Sequence, residues 1–260
     1  MILQWLRDSN DDDEGKDHIK EIHDSLSKEA TADHIRLEKN WLIEYIATES
    51  IWTIDLVMFL QHIISDGINS SNEEEEHSST TINQIEQYTF SYLFCSTKFG
   101  VDKTYNNIRY YKDTFTSDEI RVNNLFDIAE KQGLPLLETS NLTLQVLADI
   151  VSRKGVVAIV LLDNRILKNE SNEASTTYCG HYVILCGISR HEKDISIAQL
   201  NAVSVEEEDA QNDDLNPDFC MILKNPGIYK QVEYVSPCVF DKARKALGTD
   251  QDVIFIFSLK

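Results

Sequence analysis

The stretch "TTYCGHYVILCGIS" (Thr176–Ser189) decides how the second half of this chain is read. Behind Gly180, "HYVILCGI" (His181–Ile188) is a run of β-branched, aromatic and aliphatic residues, which reads as a buried strand. Three more apolar runs share its character: "VVAIVLLD" (Val156–Asp163), "FCMILKN" (Phe219–Asn225) and "DVIFIFSL" (Asp252–Leu259). A helix, "CVFDKARKALG" (Cys238–Gly248), separates the last two. Upstream the pattern is helical. Residues 17–48 read as helix with a break near Ala30–Asp33. "ESIWTIDLVMFLQHIIS" follows, with Ser50 as its N-cap and Trp52, Leu56, Phe59, Leu60 and Ile63 as a buried stripe.

Two further helices are expected. "SDEIRVNNLFDIAEKQG" (Ser117–Gly133) opens on a serine cap, and "TLQVLADIVSRKG" (Thr143–Gly155) follows it; both close on glycine. "YTFSYLFCS" (Tyr88–Ser96) reads as an aromatic-rich strand, and Asp66–Thr81 as a long polar loop. Helices first and strands later predict an α+β fold, with N-terminal helices packed on a C-terminal, mainly antiparallel sheet.

The chain has 260 residues, long enough for a substantial core. It carries 24 Lys and Arg against 44 Asp and Glu, a net charge of −20, which argues against nucleic acid or an anionic membrane as partner. The acid gathers in Asp11–Asp17, Glu73–Glu76 and Glu206–Asp214, read as solvated loops. No apolar run approaches the roughly 20 residues of a spanning helix. Five cysteines without a CxxC pair, and a start lacking a basic n-region, predict a reducing compartment: the cytoplasm, or also the nucleus. Cys186 and Cys220 sit inside apolar runs and read as small core hydrophobes. Trp41, Tyr45 and Trp52 read as core rather than a binding cage.

His181 and Asn225 carry the chemistry. A histidine at the start of a core strand, with an Asn at the end of a second strand, is the arrangement by which cysteine hydrolases of the papain type orient the catalytic imidazole. Pro226 stops the second strand where a side chain is wanted. From these two fragments alone the plainer reading is a strand-start histidine and an Asn-Pro turn. A nucleophilic cysteine belongs at the N-terminus of a buried helix, where dipole and histidine lower its pKa. None of the five fits: Cys95 ends a strand, Cys179 and Cys186 lie too close to His181, and strict alternation turns Cys186 to the opposite face. Other chemistries fare less well. No P-loop, GxGxxG or HExxH is present. Of the two strand-borne carboxylates that a two-metal cyclase needs, Asp163 is one candidate and its partner is not identifiable.

Several stretches together resemble the guanylyl cyclase domain-containing proteins of animals and the related soluble guanylyl cyclase of plants. They are "SIWTIDL" (Ser50–Leu56), "GVDKTYNNIRYYKDTF" (Gly100–Phe115), "RVNNLF" (Arg121–Phe126), "VAIVL" (Val157–Leu161), "GHYVILCGI", Asn225-Pro226 and "GTDQDVIF" (Gly248–Phe255). That family is similar to papain-like cysteine peptidases, nearest to the bacterial leader peptidases of peptide exporters. The resemblance implies a single papain-like domain over 1–260, with acidic insertions near 66–81 and 204–217, and catalytic roles for His181 and Asn225. The family pattern opens with a Trp-Asp-Cys-Gly segment before a helix, and "MILQWLR" resembles the second half of that helix. The nucleophile is therefore expected just before Met1, the chain is expected to be truncated relative to the family, and the chain as given is expected to be inactive as a hydrolase. The hydrolase reading needs no cofactor and implies a protein or peptide partner. The family name implies conversion of GTP to cyclic GMP, with Mg²⁺ or Mn²⁺. A third reading is a pseudoenzyme, a non-catalytic cytosolic binding module on a peptidase scaffold.

Overall fold

The computed structural model describes residues 44–46, 50–70, 90–108, 115–168, 178–202, 218–226 and 232–259. The chain divides into two compact units, Met1–Ser91 with Ser258–Lys260, and Tyr92–Phe257.

In the first unit, α1 (Thr53–Ser70) has a buried stripe of Ile54, Val57, Phe59, Leu60 and Ile63. Its start differs from the expected serine cap. The backbone N–H of Trp52 donates to the Asp55 carboxylate at 2.8 Å, while Asp55 N–H donates back to the Trp52 carbonyl. That reciprocal pair closes the first turn from inside, so Ser50 is left to accept from the Trp52 indole at 3.2 Å. α1 also runs on through Asp66–Ser70, the start of the expected polar loop, because extending a formed helix costs far less than starting one. Tyr45 is not core: it is 38% exposed, stacked on the His62 ring at 4.9 Å. Residues 71–81 of that loop, the other two acidic clusters, the N-terminal half-helix, the Ala30–Asp33 break and Trp41 lie outside the described residues.

The second unit is built on a sheet. From Phe90 onward the elements are β1 (Phe90–Ser96), a 3-10 turn (Lys103–Asn107), α2 (Phe115–Lys131), β2 (Leu136–Glu138), α3 (Leu144–Val151), β3 (Val156–Asp163) and α4 (Asn164–Leu167). Then come β4 (Gly180–Ser189), α5 (Glu192–Ala202), β5 (Cys220–Lys224), β6 (Glu233–Val235), α6 (Pro237–Arg244) and β7 (Val253–Ser258). The seven strands form one sheet in the order β2-β1-β7-β3-β4-β5-β6. β1 and β2 pair in parallel, whereas β3 pairs antiparallel with both β4 and β7, β4 with β5, and β5 with β6. The α+β class holds, and helices and strands interleave from Phe90 onward.

All eight residues of β3 are buried. Burial on both faces explains why its sequence is a continuous apolar run rather than an alternating one. On one face, Val160 and Leu162 of β3, Val183 and Leu185 of β4 and Leu223 of β5 pack in a cluster with Leu147 of α3 and Phe240 of α6. Thr143 caps α3, accepting from Val146 N–H at 3.2 Å. Ser117 does not cap α2, which starts two residues earlier, at Phe115. At the other end Gly133, at φ +65°, takes the left-handed conformation that stops the helix. α6 is tied down by Arg244, whose fully buried guanidinium pairs with Asp241 at 2.5 Å and donates to the Leu142 carbonyl at 2.9 Å.

Three thiols are strand residues. Burial pushes Cys95, Cys186 and Cys220 from the ordinary 9.0 up to about 11. Cys186 sits at a break in register between β4 and β5, where Leu185 pairs with Leu223 but Gly187 pairs with Ile222. Strict alternation, on which its expected facing rested, therefore stops at Cys186.

Two outcomes follow from this packing. Ellman titration of the native protein is expected to count the exposed Cys179 and Cys238, and all five thiols after denaturation. Because the three strand thiols hold their protons more tightly folded than unfolded, stability is full below pH 9.0 and falls as pH rises toward about 11, seen as a falling urea midpoint. Separately, Asp241→Ala strands the buried Arg244 charge and should destabilise by about 3–5 kcal/mol in urea unfolding.

Candidate functional site

β3 ends, β4 begins, β5 ends and β6 begins at the same end of the sheet, a consequence of successive antiparallel pairings. His181 is the second residue of β4, opposite Leu162 of β3. Asn225 is the first residue beyond β5. The last β4–β5 pair is Ile184 with Lys224, so Asn225 stands across from Val183 and diagonal to His181 on the same face. Pro226, with no N–H to add to the ladder, follows at once.

His181 and Asn225 meet. The ring Nε2 lies 2.7 Å from Asn225 Oδ1. Asn225 is 3% exposed, so its amide is shielded from water. The imidazole is half-buried, and among the described residues no hydrogen-bond partner holds its Nδ1. The two residues expected from sequence are thus brought together, with one ring nitrogen engaged.

A third residue joins them that the sequence reading did not pick. Asn225 Nδ2 donates to Glu233 Oε2 at 3.0 Å. Leu223 of β5 pairs with Glu233 of β6, which sets Glu233 diagonal to Asn225. His181, Asn225 and Glu233 therefore make one oblique line across three strands, in phase with the core residues Val183, Leu223 and Val235. A signal for Glu233 does exist. It stands two residues before Val235, so an acid shares the phase of a buried valine.

Neither the cysteines nor Asp163 join this line. All five cysteines are free, and none is hydrogen-bonded to His181 among the described residues. Asp163 is 2% exposed and already committed. Its carboxylate caps α4 through Arg165 N–H at 3.0 Å and pairs with the Arg165 guanidinium at 2.6 Å. Among the described residues no group of three or more His, Cys, Asp or Glu side chains is placed to hold a metal ion. No helix among them is long and apolar enough to cross a membrane.

Comparison with known proteins adds an independent line. A family model described as guanylylate cyclase matches residues 26–256. The chain is similar to guanylyl cyclase 1 of Arabidopsis thaliana, 22% identical over 224 residues, covering 83% of this chain and 63% of that protein. The chain thus spans less than two thirds of that relative's length. No solved structure matches. With the matched region running from before β1 into β7 and enclosing His181, Asn225 and Glu233, the chain belongs to the guanylylate cyclase family.

Proposed function

We propose that this chain carries the base of a papain-like, cysteine-hydrolase-type acyl-transfer site, with His181 as general base and Asn225 as its orienting partner. The 2.7 Å contact between His181 Nε2 and Asn225 Oδ1 carries the reading. A ring pinned through one nitrogen presents the other in a fixed direction, which is what proton transfer in a transition state requires. In such chemistry Nδ1 takes the proton of a thiol as its sulfur attacks a carbonyl carbon. The same proton then passes from the imidazolium to the leaving group. The side-chain chain across β4, β5 and β6 suits this role, because rigid strands hold a catalytic ring better than loops do.

Among the described residues no cysteine is bonded to His181, and the chain as given is proposed to be silent as a hydrolase by itself. By the chemistry of such a dyad, the substrate class proposed is a peptide or protein. A second reading, GTP cyclisation to cyclic GMP, is favoured by the family description and by the relative's name. It draws no support from Asp163, whose carboxylate is occupied by Arg165.

A supplied thiol tests the first reading. Without added thiol the protein should give no turnover of p-nitrophenyl acetate beyond a bovine albumin control. With 2-mercaptoethanol, a protein-dependent rate should appear and fall at least about a hundredfold in a folded His181→Ala variant, the low side of what general-base catalysis contributes. A rate that His181→Ala leaves unchanged overturns the assignment. In parallel, protein with GTP and Mg²⁺ or Mn²⁺ should form no cyclic GMP above a heat-killed control. Product above that control would establish the second reading instead.

A further inference from the structure

The amide of Asn225 lies between two groups of unlike hydrogen-bonding character. An ionised carboxylate only accepts, so Glu233 is served by the NH₂ end of the amide. That bond is present, Nδ2 to Oε2 at 3.0 Å. The two ends of an asparagine amide are nearly the same size, and shape alone does not choose between them. The carboxylate does choose. With Nδ2 committed to Glu233, the end facing His181 is the carbonyl Oδ1, at 2.7 Å from Nε2. Oδ1 has no proton to give, so Nε2 holds the ring hydrogen and Nδ1 keeps its lone pair.

The geometry points to Glu233 as a positioning residue that sets the tautomer of His181 through Asn225. The inference rests on the reading of His181 as a general base. Turned the other way, the amide would set Oδ1 against the Glu233 carboxylate and Nδ2 against ring Nε2. The ring proton would then sit on Nδ1, and the nitrogen meant to accept a proton would be a donor. An orienting asparagine by itself fixes where the ring points. The acid behind it fixes which nitrogen is basic. This also accounts for β6, a strand of three residues whose first member is an acid in phase with buried Val235. Its pairing with β5 is what brings the carboxylate to Asn225.

Long-range ¹H–¹⁵N correlation spectra of the ¹⁵N-labelled full chain read the tautomer directly, at a pH alkaline enough to leave the ring neutral. In the wild-type protein the Nε2–H form of His181 should exceed the Nδ1–H form at least about tenfold, as a hydrogen bond to a charged group warrants. Glu233→Gln keeps the size but offers either an acceptor or a donor, so the ratio should move toward parity with the circular dichroism unchanged. Glu233→Asp keeps the acceptor and should restore the wild-type preference. A predominant Nδ1–H form in the wild type overturns the proposal, and so does a Glu233→Gln variant that keeps the wild-type ratio. Should Glu233→Gln fail to fold, the wild-type spectrum and Glu233→Asp still decide. The spectra need no turnover, so the two readings separate. A thiol-assisted rate indifferent to His181 sinks the general base and leaves tautomer control intact, whereas an unchanged ratio sinks only the role of Glu233.

Discussion

The register between β4, β5 and β6 is the constraint on which the site depends. His181, Asn225 and Glu233 are 44 and then 8 residues apart in sequence, and only the pairings Ile184 with Lys224 and Leu223 with Glu233 set them on one diagonal. A slip of one residue in either pairing would turn one partner to the other face of the sheet. What resists the slip is the core. Val183, Leu223 and Val235 share the phase of the three polar residues and are buried with α3 and α6. The same hydrophobic packing that holds the fold together therefore also holds the polar line in step.

Much of the second unit was legible because its strands are long and buried. β3 falls on Val156–Asp163, the apolar run read from sequence, and β4 and β7 differ from expectation by one residue at each end. α2 and α3 were marked by Gly133 and by Thr143, whose local chemistry shows in any context. Short elements were missed. β2 and β6 have three residues each, too few to show a period, and they exist through pairing with β1 and β5 rather than through their own composition. α5 was also missed, since "EKDISIAQLNA" has no clear apolar stripe.

The site was half legible. His181 and Asn225 could be found because strand ends and an Asn-Pro step are local signals. Glu233 could not be weighted without knowing that β6 exists, and one glutamate among so many acids carries little information. Asp163 shows the converse. A carboxylate at the end of a buried strand invites a functional reading, yet Arg165 two residues later absorbs it into a helix cap and an ion pair. Its chemistry is structural, and only the position of Arg165 reveals that.

The irregularity at Cys186 gives β4 two phases. On the side of His181, residues 181, 183 and 185 face the cluster of α3 and α6; beyond it Ile188, which pairs with Met221, packs on that same cluster. The strand spends one extra residue to reset its alternation. The half that bears His181 takes its register from Ile184–Lys224 and Leu185–Leu223, and the half that leads into α5 takes its own from Gly187–Ile222 onward. The irregularity thus parts β4 into a half that bears His181 and a half that leads into α5.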